Sequence, residues 1–320
     1  GDINTKATGA NSVAIGNGAN ASKDDAIAFG TGATASGTNS VAIGLKSTAS
    51  GASAYALGEN AKAVGDNSVA LGADTSSNTA YGVAIGRNVS STGQSAIALG
   101  GGSATGGAAK ADGTGAIAIG SGGSSTKGAQ ATDSQAIAIG EGAKASKGQS
   151  IAIGKSAAAS QASAIAMGNG AQAKGENSIS IGTGNKVSGN NSGAIGDPSI
   201  INGANSYSVG NNNTIGSTTT DAFALGNGIY LGATSGGVDT TSVTGAVALG
   251  SSSSVTTLGG VALGQNSVAS TAAGVAGYDP KTGLSSTLTT ATWKSTLGAV
   301  SVGNGTTATR QITGVAAGTA

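Results

Sequence analysis

The chain has 320 residues, 59 of them glycine, with no cysteine, no histidine and a formal net charge of +1. Charged residues make up 9% and aromatic residues 2%, against about 25% charged in an ordinary globular domain. So few large apolar side chains cannot fill a core of usual width, and so low a net charge is not the signature of a disordered chain. A glycine-rich chain that folds on these terms must stack regularly. Without cysteine there is no disulfide framework, and without cysteine or histidine there is no zinc site of the usual ligands. Lack of histidine also removes the commonest general base. No catalytic residue, cofactor or metal is therefore expected. No signal peptide, basic tail or run of about 18 apolar residues is visible, and the abrupt ends at Gly1 and Ala320 are expected to be those of a fragment of something larger.

From the N-terminus onward the chain repeats a tetrapeptide of large apolar, Ala or Ser, large apolar, Gly. It reads Val13-Ala14-Ile15-Gly16, then Ile27-Ala28-Phe29-Gly30, then Val41-Ala42-Ile43-Gly44, and the closing glycines continue at steps of 14 to Gly100. Two steps of 20 come next, to Gly120 and Gly140, and steps of 14 return through Gly154, Gly168, Gly182, Gly196 and Gly210. Gly226, Gly250 and Gly264 succeed them at uneven spacing, and a late copy is Val300-Ser301-Val302-Gly303. Helical repeats need periods above about 30 residues. Here apolar residues alternate, as in a strand. A second alternating stretch comes after each tetrapeptide (Ala19-Asn20-Ala21, Ala61-Lys62-Ala63). Each repeat thus holds two short strands and two turns. Asn11, Asp25, Asn39 and Asn67, just ahead of the first strand, suit turns of unusual backbone angle. The simplest structure is an elongated solenoid of about 18–20 coils, each strand parallel to its copy one coil on, roughly 85–100 Å long at the usual strand spacing.

Side-chain size assigns the faces. A flat coil of 14 residues holds alanine against alanine inside, so Ala14 and its equivalents are expected to face Ala19 and Ala21 across an alanine-filled interior. Val13 and Ile15, and their bulkier equivalents Tyr55, Tyr207 and Phe223, then point outward and leave an apolar stripe. Such a stripe marks an interface, and closed symmetric assembly is the natural way to bury it.

At this point the residues are similar to a known family. Asn11-Ser12-Val13-Ala14-Ile15-Gly16 and its copies at 39–44 and 67–72 resemble the head repeats of trimeric autotransporter adhesins, the YadA-like family. Residues 293–303, from Trp293 to Gly303, resemble the insert that precedes the neck of such heads, and residues 310–319, from Arg310 to Thr319, resemble the start of that neck. The resemblance implies an all-β, left-handed parallel β-roll of 14-residue coils assembled as a homotrimer. Residues 1–277 would be head repeats, 278–309 the insert region and 310–320 the start of the neck. The trimer interface would be lined by Val13, Ile15, Ile43, Leu71, Ile139 and Ile153. It further implies a passenger on the cell surface of a Gram-negative bacterium, tied to the outer membrane through an anchor that this chain lacks. The work implied is attachment to extracellular matrix, host cells or abiotic surfaces, with autoaggregation. The competing expectation is a spacer in a surface fibre with no ligand of its own.

Other motifs weigh less. Gly16-Asn17-Gly18 precedes no helix, so it reads as a turn and not a phosphate loop. Acids such as Asp112, Asp133 and Glu141 are too scattered for calcium-binding repeats, and Glu59 and Glu176 read as solvated surface. Asn211-Asn212-Asn213 reads as a turn or a ladder, and Trp293 as a packing residue. The slot four residues after each closing glycine holds Asn20, Thr34, Thr48, Lys62, Lys144, Gln172 and Lys186. Lys62, Lys144 and Lys186 are the candidates for an outward surface that meets an acidic partner. Nucleic acid is not expected, because no aromatics lie between the basic residues. The additions at 101–107, 121–128 and 234–244 are the other surfaces free to vary.

Overall fold

The computed structural model describes residues 4–103, 106–123 and 125–316. Among them there are strands, turns and bends and no helix. Contacts between Cα atoms divide the chain into two compact units, Gly1–Ala173 and Lys174–Ala320.

The first unit is a parallel solenoid. Its eleven three-residue strands, Val13–Ile15 to Ile165–Met167, form one ladder, and its two-residue strands, Lys6–Ala7 to Gln172–Ala173, form a second. The register runs residue for residue at the repeat step: Val13 with Ile27, Ala14 with Ala28, Ile15 with Phe29, and Asn20 with Thr34, Ala21 with Ala35. The 20-residue steps keep that register, with Ile97 opposite Ile117 and Ile117 opposite Ile137. The extra residues are therefore looped out and do not shift the ladder. Strands this short survive because those inside the ladder are paired on both sides: at Ile27–Phe29, Gly30 N donates back to Ile15 O at 2.8 Å and Ile27 N donates on to Ser40 O at 2.9 Å.

The face assignment holds in this unit. Ala19, Ala21, Ala28 and Ala42 are completely buried, while Val13 and Ile15 are 42% and 52% exposed. The slot ahead of the longer strand also faces inward and holds alanine, as at Ala26 and Ala54, or serine, as at Ser40 and Ser68. Ser40 Oγ donates to Gly37 O at 2.6 Å. The turn residues Asn11, Asp25, Asn39 and Asn67 all have φ between 55 and 58°, the left-handed region that Asn and Asp tolerate best. Gly30, closing its strand, has φ 135°, and a Cβ there would lie 2.5 Å from Gly44 O. Only glycine meets both conditions.

The second unit keeps the two ladders but not the alanine interior. Ile179, Ser180 and Ile181 pair with Gly193, Ala194 and Ile195, and Lys186 and Val187 pair with Ile200 and Ile201. The inward slot of the shorter strand now holds Val187, Ile201, Ile215, Leu231 and Val255, all buried, with Ile229 and Val243 beside them. The expectation of an alanine-filled interior therefore fails here. The facing strand stays small at Ser180, Ala194, Ser208 and Ala224, which leaves room for these large residues. Buried Asn213 is fully engaged: its Nδ2 donates to Ser208 Oγ and Gly226 O, and its Oδ1 accepts from Ile229 N. On the outer face the Tyr207 ring lies where a Cβ on Gly193 would be, 2.7 Å from its Cδ1 and Cε1.

After Val268–Ala269 the chain leaves the regular coil. Tyr278–Asp279 and Leu284–Ser285 form a small antiparallel hairpin. The half-buried Trp293 lies in this region, and its carbonyl accepts from Gly277 N at 2.7 Å. Val300–Ser301 then rejoins the longer-strand ladder against Val261 and Ala262. Arg310 ties the C-terminal stretch to the last coils: its guanidinium donates to Val302 O at 2.6 Å, Gln265 O at 2.8 Å and Ser267 Oγ at 3.1 Å. Of the segment that resembles a neck, Ala317, Gly318 and Thr319 lie outside the described residues, as do Ala104, Thr105 and Ser124 of the two glycine-rich additions.

Candidate functional site

Two faces of the coil can meet other molecules. The longer strands present the apolar one. In the first unit it carries Val13, Ile15, Ile43 and Leu71, all at least partly exposed, and the half-buried Ile139 and Ile153. Ile119, Ile139, Ile153 and Met167 stack in register along it. The second unit continues the pattern with exposed Ile195, Tyr207, Val209, Phe223 and Leu225. The residues expected to line an interface thus do share one outward face within the first unit.

The shorter strands present the polar face, and Lys62, Lys144 and Lys186 are exposed on it. Lys62 and Lys144 do not form one patch. In the first unit Lys62 is flanked by Thr48 and Ser76, and Lys144 by Gln130 and Ala158. Five coil steps separate the two, about 24 Å at the spacing of parallel strands. That is several screening lengths at physiological salt, so they act as single charges. The addition at 121–128 is docked onto the coils below it by Thr126, whose hydroxyl donates to the Glu141 carboxylate. Lys155 Nζ stands 3.4 Å from the same carboxylate. The Thr126 hydrogen bond first, and then the Lys155 charge, hold the Glu141 carboxyl below its ordinary value.

Lys186 differs from the other two lysines because it borders a cavity. Beside it the shorter strands Ile200–Ile201, Thr214–Ile215 and Tyr230–Leu231 form the floor of a groove of about 680 Å³. The addition after Leu231 contributes Ser235 to its wall. That loop turns back on itself, with Thr234 N donating to Val238 O and Thr240 N to Gly232 O, both at 2.8 Å. It is pinned near its C-terminal end. The Asp239 carboxylate accepts from the amide and the hydroxyl of Ser217. Ser242 Oγ donates to Thr218 O at 2.6 Å, and Val243 is buried. Among the described residues Lys186 is the only charged side chain lining the groove. Sequence reasoning picked out Lys186 and the loop separately, read Asn212 as part of a turn or ladder, and missed Ile200, Asn227 and Tyr230. The available signal was that Ile200 and Tyr230 fall in the same slot as Lys186, four residues after Gly196 and Gly226.

Among the described residues no group of three or more His, Cys, Asp and Glu is placed to hold a metal ion, and no helix is long and apolar enough to cross a membrane. No curated protein matches the chain significantly. The repeat described as YadA head domain repeat (2 copies) matches residues 3–19, 21–47, 49–75, 65–88, 101–122, 131–157, 145–171, 173–197 and 244–267. These matches cover more than half of the chain and coincide with the regular coils. They skip the whole stretch from 198 to 243, where the groove and its loop interrupt the repeat. On the strength of those matched repeats, folded into parallel coils of about 14 residues, the chain belongs to the YadA head domain family.

Proposed function

We propose that this chain is the ligand-binding head of a homotrimeric adhesin, a left-handed roll displayed on the outer membrane of a Gram-negative bacterium, and that it binds without turning anything over. The observation that carries the reading is the outward apolar face of the longer strands. Val13, Ile15, Ile43, Leu71, Ile139 and Ile153 are large apolar residues in a continuous register, and none of the described residues folds over them. Contiguous apolar surface of this kind marks an interface, and a face repeated on identical chains is buried by closed symmetry. The opposite, polar face stays free to meet matrix proteins, a host cell surface or an abiotic surface. Three copies of a weak site on one particle gain effective concentration, so individually weak contacts hold a cell.

A spacer with no ligand of its own would need only the uniform coils. The pinned loop and groove of the second unit go beyond that need and favour the binding reading. The deciding experiment is a solid-phase screen of the chain against collagens, laminin, fibronectin and plastic, with sedimentation of the same preparation. Trimers that bind at least one surface are expected. Trimers that bind none would leave the spacer, and monomers would remove the assembly. Changing Lys62, Lys144 and Lys186 together to Ser then asks whether the exposed charges contribute. If they do, binding weakens and loses part of its salt dependence.

A further inference from the structure

We infer that the groove beside Lys186 binds a carboxylate-bearing saccharide, a sialic- or uronic-acid sugar. Lys186 meets the carboxylate and the Tyr230 ring meets a sugar face. The inference rests on the reading of this chain as a binding head and adds to it the chemical class of one ligand.

At about 680 Å³ the groove has the size of a small-ligand cleft. A second hollow of about 330 Å³, lined by Ala233, Thr240 and Thr256, continues on the other side of Tyr230, so a ligand of more than one sugar unit has somewhere to extend. The loop that brings Ser235 to the groove is held by the hydrogen bonds of Asp239 and Ser242, by the burial of Val243 and by its own Thr234–Val238 and Thr240–Gly232 backbone hydrogen bonds. Little ordering then opposes binding. Two rim positions, Gly184 and Gly228, carry no side chain to close the opening.

The lining suits a sugar. Tyr230 is 38% exposed and Ile200 partly so, giving a flat apolar platform with a phenol at its edge. Asn212 and Asn227 are exposed on the rim. The Asn212 side chain has no partner among the described residues, and Asn227 uses only its Oδ1, accepting from Asn211 N at 2.8 Å. Both keep amide donors for sugar hydroxyls. Lys186 forms no ion pair among the described residues, and no carboxylate lines the groove. An uncommitted ammonium beside an otherwise neutral lining selects an anionic ligand. A peptide is the poorer fit. It would gain most by adding to a strand edge, but the strands at Ile200, Thr214 and Tyr230 are paired on both sides within the ladder.

The test titrates the 320-residue chain with sialyllactose, a hyaluronan tetrasaccharide, neutral lactose, chitotetraose and hexaglutamate, read by calorimetry and saturation-transfer NMR. One or both acidic saccharides are expected to bind at least tenfold more tightly than the neutral ones, and which of them binds separates sialic from uronic acid. Lys186→Ala and Tyr230→Ser should each weaken that binding at least tenfold, and Tyr230→Phe should restore it. Lys23→Ala, at an exposed lysine of the first unit, should leave it unchanged. Thermal melts confirm that the variants fold. Absence of acidic-saccharide binding, or binding indifferent to both Lys186→Ala and Tyr230→Ser, overturns the inference. Hexaglutamate binding as tightly as the saccharides overturns it in favour of an acidic peptide. Adhesion to matrix or cells without saccharide binding sinks this site and leaves the adhesin standing; saccharide binding without adhesion does the reverse.

Discussion

Replacing Gly30 by alanine separates the two demands that the repeat places on its closing glycine. At φ 135° an L-residue is strained whatever the space around it, which costs about 1–3 kcal/mol. The added Cβ would also stand 2.5 Å from Gly44 O, where ordinary contact begins near 3.4 Å. The next coil must then retreat by about 0.9 Å. That stretches the Gly44 N to Phe29 O hydrogen bond from 2.8 Å to about 3.7 Å, beyond useful range. Overpacking of this kind costs a further 1–3 kcal/mol or so, for a total of roughly 2–6 kcal/mol. Gly18 supplies the control. Its φ is 67° and nothing lies within 4 Å of a Cβ there, so Gly18→Ala should cost only the left-handed penalty of about 1–2 kcal/mol. Gly18→Asn should be close to neutral, because Asn60 and Asn88 occupy the same slot at φ 53° and 62°. Urea unfolding followed by circular dichroism measures the totals, and hydrogen exchange locates the damage. Since each coil touches only its neighbours, protection should be lost around residues 16–58 and kept in the second unit. A Gly30→Ala variant no less stable than Gly18→Ala would refute the steric argument.

The same geometry sets further outcomes. Ile139→Asp combined with Ile153→Asp puts two charges on the apolar face and should turn trimers into monomers or aggregates; a stable trimer in sedimentation would show that another face is used. Ile215→Ala empties a fully buried site and should cost about 2–5 kcal/mol in chemical denaturation, whereas a loss under about 1 kcal/mol would mean that the second unit's interior collapses around the gap. Because the Glu141 carboxyl is lowered in the folded chain from its ordinary value of 4.5, its contact with Thr126 should be complete above that value and vanish only as pH falls through the lowered one. The Thr126 amide shift tracked by NMR checks this, and a midpoint at or above 4.5 would contradict it.

The period and the faces were readable because Val13-Ala14-Ile15-Gly16 states both at once: alternation gives the strand, and alanine between two large residues gives the inside. The interior of the second unit was misread because that rule came from the early coils. The residue five after each closing glycine changes from Ala21 and Ala35 to Val187, Ile201, Ile215 and Leu231, and the change is visible once the column is traced to its end. The groove was less accessible. Its floor lies in a readable column, but its wall depends on how residues 232–243 fold back. That is decided by single contacts such as Asp239 with Ser217, which no repeat predicts. The lysines show the opposite limit: their slot was right, but their distance apart depends on which coils intervene.

Residue-for-residue pairing at a fixed step also makes the coils interchangeable. Excising residues 31–44 would join Gly30 to Leu45 and bring Tyr55, which now pairs with Val41, opposite Ile27, with every later contact unchanged in kind. The length of such a stretch is thus counted, not folded. Recombination between near-identical copies of the repeat could shorten or lengthen it by about 4.8 Å per coil, and the spacing between a tethered surface and whatever lies at the far end would be inherited as a copy number.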